Sequence, residues 1–76
     1  MEKENIKRLM EGMENIAKNH NTEVIDHTTD DEEPYIGVLK CNVPTLADVR
    51  MLCEEVGVPR ENIESNDSWG YIAVYV

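Results

Sequence analysis

The order of hydrophobic periodicities along this chain predicts an α+β domain. Its elements run α-β-β-α-β-β, with a four-stranded, mostly antiparallel sheet and both helices packed on one face. Three observations carry this expectation. Residues 44–59 read as a helix with stop signals at both ends. Residues 2–20 carry a second apolar stripe at helical spacing. Residues 69–76 alternate Ile72, Val74 and Val76 with Tyr71, Ala73 and Tyr75, the period of a half-buried strand. At 76 residues the chain makes one domain at most, spanning 1–76.

In the first helix, Ile6, Leu9, Met10, Met13, Ile16 and Ala17 form one continuous apolar face. Glu4–Arg8 and Glu14–Lys18 are i,i+4 pairs of the favourable order on its outer face. Gly12 falls off the stripe, where it costs about 1 kcal/mol relative to Ala without harming packing. Asn19-His20-Asn21 ends the helix, because Asn follows Gly as a left-handed stop.

Residues 22–28 then read as a strand of β-branched character. Asp30-Asp31-Glu32-Glu33-Pro34 reads as an acidic turn, and Tyr35 to Asn42 as the returning strand. The two make a hairpin with a loop of about six residues. In the second helix Thr45 is expected to cap the first turn, with Asp48 three residues on. Leu46, Val49, Leu52, Cys53 and Val56 supply its apolar stripe. Gly57 stops it and Pro59 forbids continuation. A short strand near Ile63–Ser65 follows, then the turn formers Asn66-Asp67-Ser68, then the strand Trp69 to Val76. Ile72, Val74 and Val76 should face the helices. Tyr71 and Tyr75 should lie on the far face, open to water or to a partner.

A chain this short buries roughly 60% of its unfolded surface, so its stability margin is thin and dimerisation is a natural remedy. Phe is absent, so the core must be aliphatic, with Met, Tyr and Trp69 adding bulk. The 16 acidic and 7 basic residues give a net charge of −9. Within residues 1–20 the charges cancel; residues 21–76 hold 12 acids against Lys40, Arg50 and Arg60. Such a surface repels nucleic acid and anionic membranes and attracts basic partners. Cys41 and Cys53 are too few for a disulfide framework and sit in apolar contexts, so both read as reduced, buried thiols. The N-terminus is charged from Glu2 onward, without an apolar signal region, and no run approaches a membrane span. A cytoplasmic protein is the expectation.

Two acidic clusters stand out. Asp30, Asp31, Glu32 and Glu33 repel one another unless something cationic is near. They read either as a solvated turn or as a docking patch for Lys and Arg. Glu54 and Glu55 oppose the negative end of the second helix dipole, and Glu61, Glu64 and Asp67 follow closely. Locally unfavourable charge that adds to the net charge hints that the charge itself is used. Trp69, Tyr71, Tyr75 and Tyr35 are candidate interface aromatics. Trp69, beside a turn, suits burial against a helix end as well as partner contact.

Enzymatic and metal chemistry find little support. His20 and His27 lack the spacings of metal sites, and no EF-hand loop is present. Asp26-His27, or a Cys with a His, lacks a glycine loop or an orienting third group. The chain also offers little volume for a ligand pocket of about 300 Å³ beside its core. No cofactor is expected. With no basic patch, direct nucleic-acid binding is not expected either.

The leading expectation is a non-enzymatic protein-binding module whose partner has a basic surface. Asp30–Glu33, Glu54, Glu55, Glu61, Glu64, Asp67, Trp69, Tyr71 and Tyr75 would make the contact. Small size, a pI near 4.4, no catalytic motif and no targeting signal resemble the small anti-defence proteins of phages, anti-CRISPR proteins among them. The resemblance implies an inhibitor whose carboxylates imitate phosphates and occupy a nucleic-acid-binding groove. The alternatives are a small homodimeric structural or regulatory protein and, more weakly, a metal-binding protein or minor enzyme.

Overall fold

The first apolar stripe forms helix α1, Lys3–Asn19, in the computed structural model, which describes residues 1–76. Leu9, Met13, Ile16 and Ala17 are its buried residues. Each of the larger ones gains about 1.5–3 kcal/mol from leaving water. Asn21 is left-handed at φ 56°. The Thr22 N–H reaches back to the Ala17 carbonyl at 2.8 Å, closing the helix end. Glu4–Arg8 and Glu14–Lys18 do not form ion pairs; the two that exist lie elsewhere. Exposed pairs gain too little to hold two long side chains in place.

Strands β1 (Val24–His27) and β2 (Tyr35–Val38) are shorter than the sequence suggested. The residues beyond them are held by other bonds. Leu39 N–H donates to the Glu23 carbonyl, and the Thr22 hydroxyl donates to the Leu39 carbonyl at 2.7 Å. Asn42 does not continue the strand. It caps helix α2, Val43–Val56, its Oδ1 accepting from the Thr45 N–H at 2.9 Å. This corrects the expected Thr45 cap. Thr45 lies inside the first turn, fully buried, and its Oγ1 has no hydrogen-bond partner. Pro44 fits the first turn because its missing N–H has no helical partner to lose. At the other end Gly57 takes φ 90°, as expected. The N–H of Val58 bonds the Cys53 carbonyl, and Val58 is buried.

A 3₁₀ turn, Arg60–Asn62, leads into β3 (Ile63–Asn66), and a tight turn connects it to β4 (Tyr71–Tyr75). Trp69 belongs to that turn, not to the strand; its N–H donates to Asn66 Oδ1, and Gly70 takes φ 69°. The four strands form one open sheet in the order β1-β2-β4-β3, every neighbouring pair antiparallel. The register opposes Ile36 to Val74 and Val38 to Ile72. These four side chains meet those of α1 and α2 in a single core, so both helices cover the same face. β2 and β4, the most apolar strands, take the centre, where burial is greatest.

One glycine is placed differently from the sequence reading. Gly12 faces α2, where an added Cβ would lie 2.4 Å from Leu52 Cδ1. It is a point of close approach between the helices. Neither helix is long and apolar enough to cross a membrane.

Candidate functional site at one end of the open sheet face

The face that the helices leave open is built by alternation. Ile36, Val38, Ile72 and Val74 turn inward, so Tyr35, Gly37, Tyr71, Ala73 and Tyr75 turn outward, as expected for Tyr71 and Tyr75. The register places His27 opposite Tyr35 and Tyr35 opposite Tyr75. Their rings form a row across three strands. His27 and Tyr35 stack at 4.7 Å with 20° between planes; Tyr35 and Tyr75 lie 5.6 Å apart, tilted by 54°.

The fourth strand adds a carboxylate. Glu64 stands opposite Ala73, diagonal to Tyr75, and its Oε2 accepts from the Tyr75 hydroxyl at 2.6 Å. That hydrogen bond, partial burial and the charges of Glu64 and Glu33 push the Tyr75 hydroxyl up to about 12.

The acidic loop enters at the same end. Asp30–Glu33 connect His27 to Tyr35 and are not a shapeless run. Asp30 Oδ1 accepts from the backbone N–H groups of Glu32 (2.9 Å) and Glu33 (3.4 Å), which hold its carboxyl below the usual range. Asp26 is lowered by the hydroxyl and N–H of Thr28. Glu61 lies in the 3₁₀ turn, whose Asn62 amide donates to the Tyr75 carbonyl. Asp30–Glu33, Glu61, Glu64 and Tyr75 are thus brought to one end of the sheet. Glu54 and Glu55 occupy the last turn of α2, in the helix layer, and Glu54 meets Arg60 at 3.6 Å. Both partners of that pair are exposed, so it contributes little.

Asp67, Trp69 and Tyr71 lie at the other end of β4. Asp67 Oδ1 accepts from the half-buried Cys41 thiol at 3.0 Å and raises its pKa. Cys53 is fully buried, which pushes its thiol up to about 11. Trp69 is 81% exposed, which decides against burial at a helix end. Leu39 and Val43, in the segment that Cys41 ties to Asp67, are 49% and 82% exposed. Sequence reasoning passed over these two, because exposure at an element boundary has no periodic signature. It also passed over His27 as a stacking ring and over the contact of His20 Nε2 with Asp48 at 2.7 Å. Alternation within Val24–His27 places Ile25 and His27 together on the open face, and that was the available signal.

No three His, Cys, Asp or Glu side chains gather as a metal site. The structure does hold an open hollow of about 440 Å³, contrary to the expected lack of room. It is lined by Glu2, Asn5, Gly57, Pro59 and Asn62 with the chain ends Met1 and Val76, so it takes nothing from the core. Glu2 is its single acidic side chain, and no His, Cys, Lys or Arg lines it. Comparison with protein families, with curated proteins and with solved structures finds no match to this chain.

Proposed function

We propose that this protein is a binding module that engages a basic protein partner through the acidic end of its sheet. In its sharpest form it is an inhibitor. Its carboxylates stand in for phosphates and occupy a groove that normally holds nucleic acid, as the resemblance to phage anti-defence proteins implies. One observation carries the reading. Of 16 acidic residues, only Asp48 and Glu54 have a basic group within ion-pair distance. Asp30–Glu33, Glu61 and Glu64 gather at one end, and none of them has a basic group within ion-pair distance. Negative charge concentrated at one end of the molecule attracts a cationic partner.

The test is charge reversal in two sets: Asp30, Asp31, Glu32 and Glu33 to Lys, and separately Glu54, Glu55, Glu61 and Glu64 to Lys. Proteins captured by the unaltered chain should be released by added duplex DNA and by salt, and neither variant should retain them. Capture that persists in both variants at low and high salt defeats the proposal.

A homodimer is the second reading, and the opposite end of the molecule favours it. Trp69, Val43 and Leu39 are apolar and exposed there, away from the acidic loop. Sedimentation at micromolar concentration, with Trp69→Ala alongside, decides it: a dimer that the substitution dissociates supports the second reading, and a monomer removes it.

A further inference from the structure

A basic partner offers two kinds of cation, and the open sheet face distinguishes them. We propose that this face recognises arginine: a guanidinium group of the partner lies on the ring of Tyr75 and forks onto the carboxylates of Glu64 and Glu33. The inference rests on the basic-partner reading above and names the side chain that the partner must bring.

Charge complementarity fixes the sign of the occupant. The four strands, Val24–His27, Tyr35–Val38, Ile63–Asn66 and Tyr71–Tyr75, contain no Lys or Arg. Neither Glu64 nor Glu33 has a basic partner within ion-pair distance, and the one titratable base on the face, His27, is stacked on Tyr35, so both carboxylates are free to receive a cation from a partner. A second copy is the wrong occupant for this face, since it would set Glu33 and Glu64 against their own images. Nucleic acid is repelled for the same reason. A divalent ion would need converging ligands, and none gather here.

Geometry then selects arginine over lysine. The guanidinium is planar, weakly hydrated and able to stack on an aromatic ring while donating sideways in a fixed fork. The face offers both surfaces side by side. Tyr35 is flanked by His27 and Tyr75, so Tyr75, at the end of the row, presents the free ring, and Glu64 is held next to it by the 2.6 Å bond from Tyr75. That bond engages Oε2, leaving Oε1 for an incoming donor. Tyr75 is a neutral donor throughout the physiological range, as any tyrosine is, so it does not repel the carboxylate. A lysine ammonium is compact and strongly hydrated, and gains only the Coulomb attraction.

The experiment titrates hexa-arginine and hexa-lysine peptides into the full chain at low and at physiological salt, by calorimetry and proton NMR. The arginine peptide should bind several-fold tighter, one exposed ring contact being gained. Its side-chain methylene protons should shift upfield from ring currents, a readout that needs no variant. Tyr75→Leu should lower arginine binding to the lysine level and leave lysine binding unchanged. Tyr75→Phe keeps the ring and should keep the preference, even if the leucine variant folds poorly. Equal affinity for the two peptides, lost when Asp30–Glu33 are reversed, overturns the arginine inference and leaves the basic-partner reading standing. Binding of neither peptide at low salt overturns both.

Discussion

The hydroxyl of Tyr75 donates to Glu64 Oε2 across 2.6 Å, joining the central strand β4 to the edge strand β3 on the uncovered face. The bond keeps the proton on Tyr75, whose hydroxyl is pushed up to about 12, against about 10 for an ordinary tyrosine. The folded chain therefore holds a proton that the unfolded chain gives up sooner. The stabilisation is complete below about pH 10 and is lost as pH rises through about 12. Tyrosinate absorbance should show one of the three tyrosines ionising last. Glu64→Gln should draw that step back toward about 10, and Tyr75→Phe should remove it. An unchanged curve for Glu64→Gln would disprove the assignment.

Asn42 takes the capping role that the sequence suggests for Thr45, which is buried in the first turn instead, and stability measurements separate the two. Asn42→Ala removes the cap and should cost about 1 kcal/mol. Thr45→Val replaces a buried, unpartnered hydroxyl with a methyl of the same shape and should raise stability by about 1 kcal/mol. Denaturant melts of both variants check this; a loss for Thr45→Val would return Thr45 to a polar role.

Gly12→Ala tests the helix contact. Propensity alone favours Ala by about 1 kcal/mol. The new Cβ would press on Leu52, whose side chain must then give up its place against the core. Overpacking of this kind costs about 1–3 kcal/mol, so the net change should be a loss of about 1 kcal/mol. In a Leu52→Ala background the same substitution should instead stabilise by about 1 kcal/mol, as a double-mutant cycle will show.

The two thiols should react in order. Cys53 is fully buried and pushed up to about 11, so a disulfide reagent at mildly alkaline pH should reach it only through unfolding. Cys41 is partly exposed but held as a thiol by Asp67. Asp67→Asn removes that charge and should speed Cys41 labelling several-fold. Labelling at the original rate would show that Asp67 does not govern the thiol.

The helices were legible because their signals are local. The stripe from Ile6 to Ala17 and the stop at Gly57 depend on residues three or four apart, and the chain obeyed them. Thr45 was misread for a related reason. Extending β2 through Asn42 used up the residue that in fact caps α2, and the strand ends at Val38. The candidate site was visible only in part. Asp30–Glu33 are contiguous and could not be missed, whereas the link from Glu64 to Tyr75 requires the register of a hairpin. Gly12 and Leu52 are forty residues apart, and no local pattern joins them.

By itself the sequence determined the element order, the inward and outward faces of β4 and the surplus of negative charge. All of these follow from spacing and composition within single segments. The tertiary structure decided which charges become neighbours. Pairing β2 with β4, which joins the two hairpins, brings Asp30–Glu33, Glu61 and Glu64 to one end of the sheet and sends Asp67 and Trp69 to the other. Side chains on different strands meet only when hydrogen-bond register has set their positions, and register belongs to the assembled sheet.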